Sequence, residues 1–255
     1  MEEILSTEKI DKNFGGVQAL KDVSIRVQKS SIIGLIGPNG SGKTTFFNVG
    51  TGWLPNDNKE GFISFKGEKI DGEPPHEISL KGLARTFQKT RILKELTTLD
   101  NMLLAAQTQK GEGLFQVYIK RRKWKKQERE LRRRALEILG FLEIRHLAYE
   151  PAANLSGGQQ KLLALGRVLM AAPKLVLLDE PVAGVNPTLA KKIFQRIIKL
   201  REEEGLTFLI VEHNMDVIME FCDSVFVMHR GEVLTKGTPD EIKSNREVVE
   251  AYLGG

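Results

Sequence analysis

The chain has 255 residues, 41% of them hydrophobic, enough to bury a large core as one α/β domain or a domain with a sub-domain. Its net charge of +5 is uneven: segment 120–134 holds ten Lys or Arg and two Glu, a local +8 that leaves −3 for the rest, so the surface as a whole is not basic. The single cysteine, Cys222, excludes an intrachain disulfide, and no apolar run approaches the ~18 residues of a membrane span.

Met1-Glu2-Glu3-Ile4 lacks the basic-then-apolar order of a secretory leader. Residues 3–36 alternate apolar and polar in places, as in Val23-Ser24-Ile25-Arg26-Val27, and with Gly61–Gly67 they predict short antiparallel strands. Phe14 lies in the turn-like stretch Asn13-Phe14-Gly15-Gly16. Its residue type reads as ordinary loop packing, with stacking on a nucleotide base as the alternative. Ser31–Ile36 then reads as a buried strand, and Thr45–Val49 as a helix start. Between them stands Gly37-Pro38-Asn39-Gly40-Ser41-Gly42-Lys43-Thr44, the pattern G-x-x-x-x-G-K-[ST] in a strand–loop–helix context. Glycines let the backbone curl so that its N–H groups face a polyphosphate, and the helix N-terminus adds partial positive charge. Lys43 can reach the outer phosphates and the Thr44 hydroxyl can ligate Mg²⁺.

Pro74-Pro75 marks a break, and Thr98 is a plausible cap for a helix running to Ala106. Between them lies Ala84-Arg85-Thr86-Phe87-Gln88, where Gln88 alone carries no signal. Trp124, Leu131, Ala135, Ile138 and Leu142 recur at helical spacing and define one apolar face. The opposite face carries the basic run, with Glu128–Arg132 and Glu130–Arg134 at i,i+4. That run reads as a solvated face; contact with anionic lipid headgroups, an acidic partner loop or nucleic acid are the sharper alternatives.

Leu155-Ser156-Gly157-Gly158-Gln159 is a second glycine-rich stretch, capped by Ser156 and opening a helix over 160–170. It is either a generic N-cap or a second phosphate-binding surface. Lys174-Leu175-Val176-Leu177-Leu178-Asp179-Glu180 reads as a strand covered on both faces and ending in two carboxylates. At such an end Asp179 can hold Mg²⁺ through water and Glu180 can polarise an attacking water. Thr207–Val211 is another buried strand, and it delivers Glu212-His213; that placement raises the catalytic weight of His213. Ser224–His229 and Glu232–Lys236 flank the hairpin signal Arg230-Gly231, and the tail 239–253 reads as one or two short helices.

Phosphate loop, Gln88, Leu-Ser-Gly-Gly-Gln, Asp-Glu strand end and His213, in that order, resemble the ATP-binding cassette of ABC transporters over essentially the whole chain. Asn13–Gly16, Arg85–Gln88, Gly184-Val185-Asn186-Pro187 and Glu250–Gly254 are similar to the ATP-binding subunits of branched-chain amino acid importers. The resemblance implies an α/β fold over 1–255: a P-loop NTPase core with a mixed or parallel sheet flanked by helices, an N-terminal antiparallel β sub-domain, and a helical sub-domain inserted over approximately 89–160. It implies ATP and Mg²⁺ as cofactors. Phe14 would stack on adenine; Gly37 to Thr45 would hold the phosphates and the metal; Gln88 would contact the metal and the water. Glu180 would be the general base and His213 would contact the γ-phosphate. Ser156 and Gly158, in the stretch with Gly157 and Gln159, would contact ATP bound by a second ATP-binding subunit. Transmembrane permease subunits and, indirectly, a substrate-binding protein are the remaining implied partners, with the chain peripheral on the cytoplasmic face of the cell membrane and no nucleic acid expected. Many members carry Asp where this chain has Asn186, which bears on coupling between the two dimer sites.

The resemblance leaves two rivals to amino-acid import. The first is a lipid or lipopolysaccharide export ATPase. The second is a non-transport cassette protein; chromosome and repair ATPases of that type insert long coiled coils between the nucleotide motifs, and no sustained heptads separate Thr44 from Leu155 here.

Overall fold

The computed structural model describes residues 2–86, 92–106 and 121–253, for residues 121–125 and 253 the backbone only. The chain divides into two units, 1–88 with 173–255, and 89–172.

The first unit is built on two sheets. One has the order β2-β1-β4-β5, with β1 Glu3–Phe14, β2 Val17–Gln28, β4 Phe62–Phe65 and β5 Glu68–Lys69, all antiparallel. Strands β1 and β2 run 12 residues each, longer than the alternation predicts. The register shifts between Thr7 and Ile10 and between Ile10 and Lys12, and Lys9 and Asp22, both at φ 51°, are the extra residues. Each bulge inverts the inward face, so the period-2 signal breaks while the ladder continues.

The second sheet has the order β10-β9-β3-β8-β7-β6, with β3 Ile32–Ile36, β6 Leu83–Arg85, β7 Leu175–Asp179, β8 Thr207–Val211, β9 Ser224–His229 and β10 Glu232–Gly237. All neighbours are parallel except β9–β10, joined by the predicted Arg230-Gly231 turn. Every residue of β3, β7 and β8 is buried, as continuous apolar runs require of strands covered on both faces. Strand β6, three residues long, escapes the pattern because it is too short to show one.

Helix α1 (Lys43–Gly50) supplies Phe46 and Phe47, buried in one cluster with Ile10, Leu20 and Ile25 of the first sheet and Leu35, Leu177 and Leu209 of the second. Each such phenyl ring contributes about 1.5–3 kcal/mol through burial. The remaining helices of this unit are α2 (Pro75–Leu80), α6 (Pro187–Glu204), α7 (Met215–Phe221), α8 (Pro239–Ser244) and α9 (Arg246–Leu253).

The second unit packs α3 (Thr98–Leu104), α4 (Arg121–Phe141) and α5 (Gly157–Met170) against one another. A Cβ on Gly166 would stand 2.9 Å from Met102 Sδ and 3.1 Å from Leu142 Cδ1, so this glycine sets how closely the helices meet. The cap of α3 is Thr97, whose side chain accepts from the Asp100 N–H, and not Thr98; the Thr98 hydroxyl turns to the Glu150 carbonyl at 3.3 Å. Helix α5 starts three residues earlier than read, directly after its cap Ser156. On α4, Ala135 and Leu139 are buried and Lys126, Arg129, Arg132 and Arg133 are exposed, while Arg134 donates to the Leu169 carbonyl at 3.0 Å. Among the described residues no helix is long and apolar enough to cross a membrane.

Candidate functional site

Three loops leave the carboxyl ends of neighbouring strands β3, β8 and β7, the edge at which parallel sheets bind ligands. From β3 comes the phosphate loop. Gly37 has φ 150°, and a Cβ there would stand 2.1 Å from the Met228 carbonyl oxygen of β9, so only glycine fits. Gly42 caps α1 at φ 102°, and the first amides of the helix lack intrahelical acceptors and point forward. Asn39, Gly40 and Thr44 are exposed, and Pro38 and Thr45 half-buried. Lys43 is 6% exposed. Its ammonium donates to the Gly37 and Pro38 carbonyls, both at 2.8 Å, and to Ser41 Oγ at 3.3 Å. Burial pushes the Lys43 ammonium below its usual range, while the charges of Glu180 and Asp179 pull it back. Both carboxylates of the Asp-Glu pair therefore act on this lysine.

From β7 come Asp179 and Glu180. Asp179 is buried, and its Oδ2 accepts from Arg85 Nη2 at 2.9 Å. Arg85 also donates to Asn48 Oδ1 at 2.6 Å and lies over the Phe47 ring, 5.3 Å from its centroid. Glu180 takes φ 50°, a left-handed conformation that a glutamate holds only when its surroundings impose it. Its Oε1 lies 3.1 Å from His213 Nε2, the side chains being 16% and 43% exposed respectively. Thus His213, delivered by β8, meets Glu180, delivered by β7.

Phe14 is 48% exposed at the end of β1, and the Lys12 ammonium stands over its ring, 5.9 Å from the centroid. Gln88 lies outside the described residues. Ser156–Gln159 belong to the other unit, where Ser156 and Gln159 form a capping box: Gln159 Oε1 accepts from the Ser156 N–H at 2.8 Å and Ser156 Oγ from the Gln159 N–H at 3.3 Å. The Gly157 and Gly158 amides are then the outward donors of that helix end. Asn186 caps α6, accepting the Leu189 N–H at 2.9 Å, a task at which Asn and Asp are equivalent.

Three residues of this edge escape a reading of the sequence alone. Arg85 stands in a strand too short to recognise. Glu212, 3% exposed, reads only as the end of an apolar strand, although a carboxylate directly after five buried residues is itself a signal of burial. Tyr252 reads as part of the tail; its phenol is pushed up, chiefly by burial, with the Gly37 backbone opposing the rise.

A divalent ion here would find hard oxygen donors, the Thr44 hydroxyl and the Asp179 carboxylate, of the kind Mg²⁺ takes. Among the described residues no three His, Cys, Asp or Glu side chains gather into a metal cage.

Comparison with known proteins gives the following similarities. The family described as ABC transporter matches residues 20–183, and the one described as branched-chain amino acid ATP-binding cassette transporter matches residues 232–255. The chain is 45% identical over 252 residues to the probable branched-chain amino acid transport ATP-binding protein LivG of Archaeoglobus fulgidus, covering 99% of this chain and 96% of that one. It is 42% identical to the protein of the same name from Methanocaldococcus jannaschii, covering 99% of this chain and 98% of that one. Among solved structures, an ATP-binding cassette of an ABC transporter in its ADP conformation superposes with a TM-score of 0.87 at 41% identity, each chain covered in full. A dimeric bacterial ABC transporter cassette superposes with a TM-score of 0.78 at 25% identity, over 92% of this chain and 99% of that one. The chain belongs to the ABC transporter family, as an ATP-binding subunit and ATP hydrolase coupled to transport, on the branch of the branched-chain amino acid cassettes.

Proposed function

We propose that this chain is the ATP-hydrolysing subunit of an importer of branched-chain or other hydrophobic amino acids, working on the cytoplasmic face of the membrane with permease subunits, a second ATP-binding subunit and a substrate-binding protein. The observation that carries the catalytic part is the Glu180–His213 contact at 3.1 Å beside the phosphate loop, with both carboxylates of the Asp-Glu pair acting on Lys43. The loop amides and Lys43 hold the phosphates, exchanging the present Gly37 and Pro38 carbonyl contacts of the ammonium for phosphate oxygens. Thr44 and Asp179 would hold Mg²⁺, which when bound would neutralise charge on the phosphates. Glu180 takes the proton of the attacking water and His213 orients Glu180 and the γ-phosphate. Phe14 stacks on the base, Gln88 links the metal and the water to the permease, and the second unit docks on the membrane subunits. Two copies, or one copy and a related subunit, close so that Ser156–Gln159 of each completes the site of the other; that a similar cassette is dimeric supports the pairing. The names of the relatives favour amino-acid transport over lipid export.

The test is Glu180→Gln in the full chain. ATP binding stays within about twofold of wild type and turnover falls by about 10²–10⁴, the usual share of general base catalysis. Near-normal hydrolysis removes Glu180 from the base role. In that background Ser156→Arg blocks ATP-driven dimerisation without blocking ATP binding; a dimer that persists overturns the shared site. Loss of leucine, isoleucine and valine uptake on deleting the gene tests the substrate, and unchanged uptake refutes it.

A further inference from the structure

We propose that Glu212 is a positioning residue for hydrolysis: its buried carboxylate bridges the two loops that carry Glu180 and His213 and holds that pair in register. This rests on the roles just proposed for Glu180 and His213. The two oxygens of Glu212 are divided between the loops. Oε1 accepts from the Val182 N–H, two residues beyond Glu180, at 2.8 Å. Oε2 accepts from the His213 N–H at 3.1 Å.

The arrangement follows from the local chemistry. Residue 181 is proline and has no N–H, so Val182 offers the first amide after Glu180 by which that turn can be tied down. Glu180 itself stands at φ 50°, a conformation that relaxes unless it is over-determined. Its own N–H is held by the Val211 carbonyl at 2.9 Å, just before Glu212 in the chain. The same β8 end thus grips the Glu180 turn twice, once through the Val211 carbonyl and once through the Glu212 carboxylate. Burial raises the Glu212 carboxyl, and the proximity of Glu180 adds to the rise, while the Val182 and His213 amides oppose it. An anion buried 3% exposed beside another carboxylate is a costly choice for a purely structural staple. A carboxylate is the one side chain here with two acceptor oxygens able to take a donor from each loop.

The experiment compares wild type, Glu212→Gln and Glu212→Asp in the full chain. Glutamine keeps the shape but turns one acceptor into an NH₂ donor facing a backbone N–H; aspartate keeps both acceptors but is one methylene too short to span both loops. With Glu212→Gln, kcat falls by about 10²-fold, the scale of a 1 Å misplacement of catalytic groups. ATP affinity stays within about threefold, and the amide resonances of Val182 and His213 move upfield as they lose a charged acceptor. Glu212→Asp, too short to bridge both loops, also lowers kcat, whereas wild-type kcat in that variant overturns the bridge. An unchanged kcat, or ATP affinity and folded fraction falling in step with kcat, overturns the proposal. Should Glu212→Gln not fold, hydrogen exchange in the wild type decides: slow exchange of the Val182 and His213 amides is expected, and exchange at the rate of open loops overturns the bridge. These amide readouts do not depend on whether Glu180 is the base, which Glu180→Gln tests separately.

Discussion

Arg85→Met should strand a buried charge. Arg85 and Asp179 side chains are 5% and 4% exposed, with 2.9 Å between Nη2 and Oδ2. At an effective dielectric of ~20 their attraction is about 6 kcal/mol before desolvation. Burial pulls the Arg85 guanidinium below its usual range despite the Asp179 hydrogen bond, so desolvation outweighs the attraction for this group. The net worth of the pair against an apolar replacement is therefore close to zero, while removal of one partner costs about 3–5 kcal/mol. In a chain of this size that lowers Tm by about 6–20 °C. The assay is thermal and urea unfolding of the nucleotide-free chain by circular dichroism, for Arg85→Met, Asp179→Asn and the double variant. The double variant should recover more than half of the loss of Arg85→Met, because the uncompensated carboxylate is gone. A loss below about 1 kcal/mol in Arg85→Met, or no recovery in the double variant, refutes the reasoning.

Gly37→Ala forces a methyl group to 2.1 Å from the Met228 carbonyl at φ 150°, so ATP affinity should fall at least about tenfold, with stability reduced by about 1–3 kcal/mol; equilibrium titration with a fluorescent ATP analogue checks the first, and wild-type affinity would show that β9 yields. The Cys222 thiol is pushed by burial from 9.0 to about 12. The folded state thus favours the protonated thiol, and the stability this contributes is complete below pH 9, then lost as pH rises through about 12. Alkylation of the native chain at about pH 8 should therefore proceed only through opening, and labelling at the rate of a free thiol contradicts the burial. Cys222→Ala should flatten the alkaline limb of the unfolding curve between those pH values.

Much of the site was legible because it is local. The phosphate loop is one contiguous strand, turn and helix start, and Gly37, Gly40 and Gly42 supply the positive φ its turn uses. The capping of α5 by Ser156 and the Arg230-Gly231 hairpin are legible for the same reason. Legibility failed where the pattern was short or interrupted. Three-residue β6 shows no period, the bulges at Lys9 and Asp22 break the alternation of β1 and β2, and the cap of α3 is not Thr98, as read, but its neighbour Thr97, whose hydroxyl accepts the Asp100 amide.

The amino-acid order by itself determined which residues can bind phosphate, hold a metal or move a proton, since these depend on side-chain chemistry and on backbone conformations set by short-range sterics. Only the tertiary structure decided which of them meet. Glu180 and His213 are 33 positions apart, Arg85 and Asp179 are 94 apart, and Val182 and Glu212 are 30 apart. They come together because β8 lies between β3 and β7 and β6 pairs with β7. That strand order is selected by the burial of whole apolar faces and leaves no mark on the residues flanking any one strand.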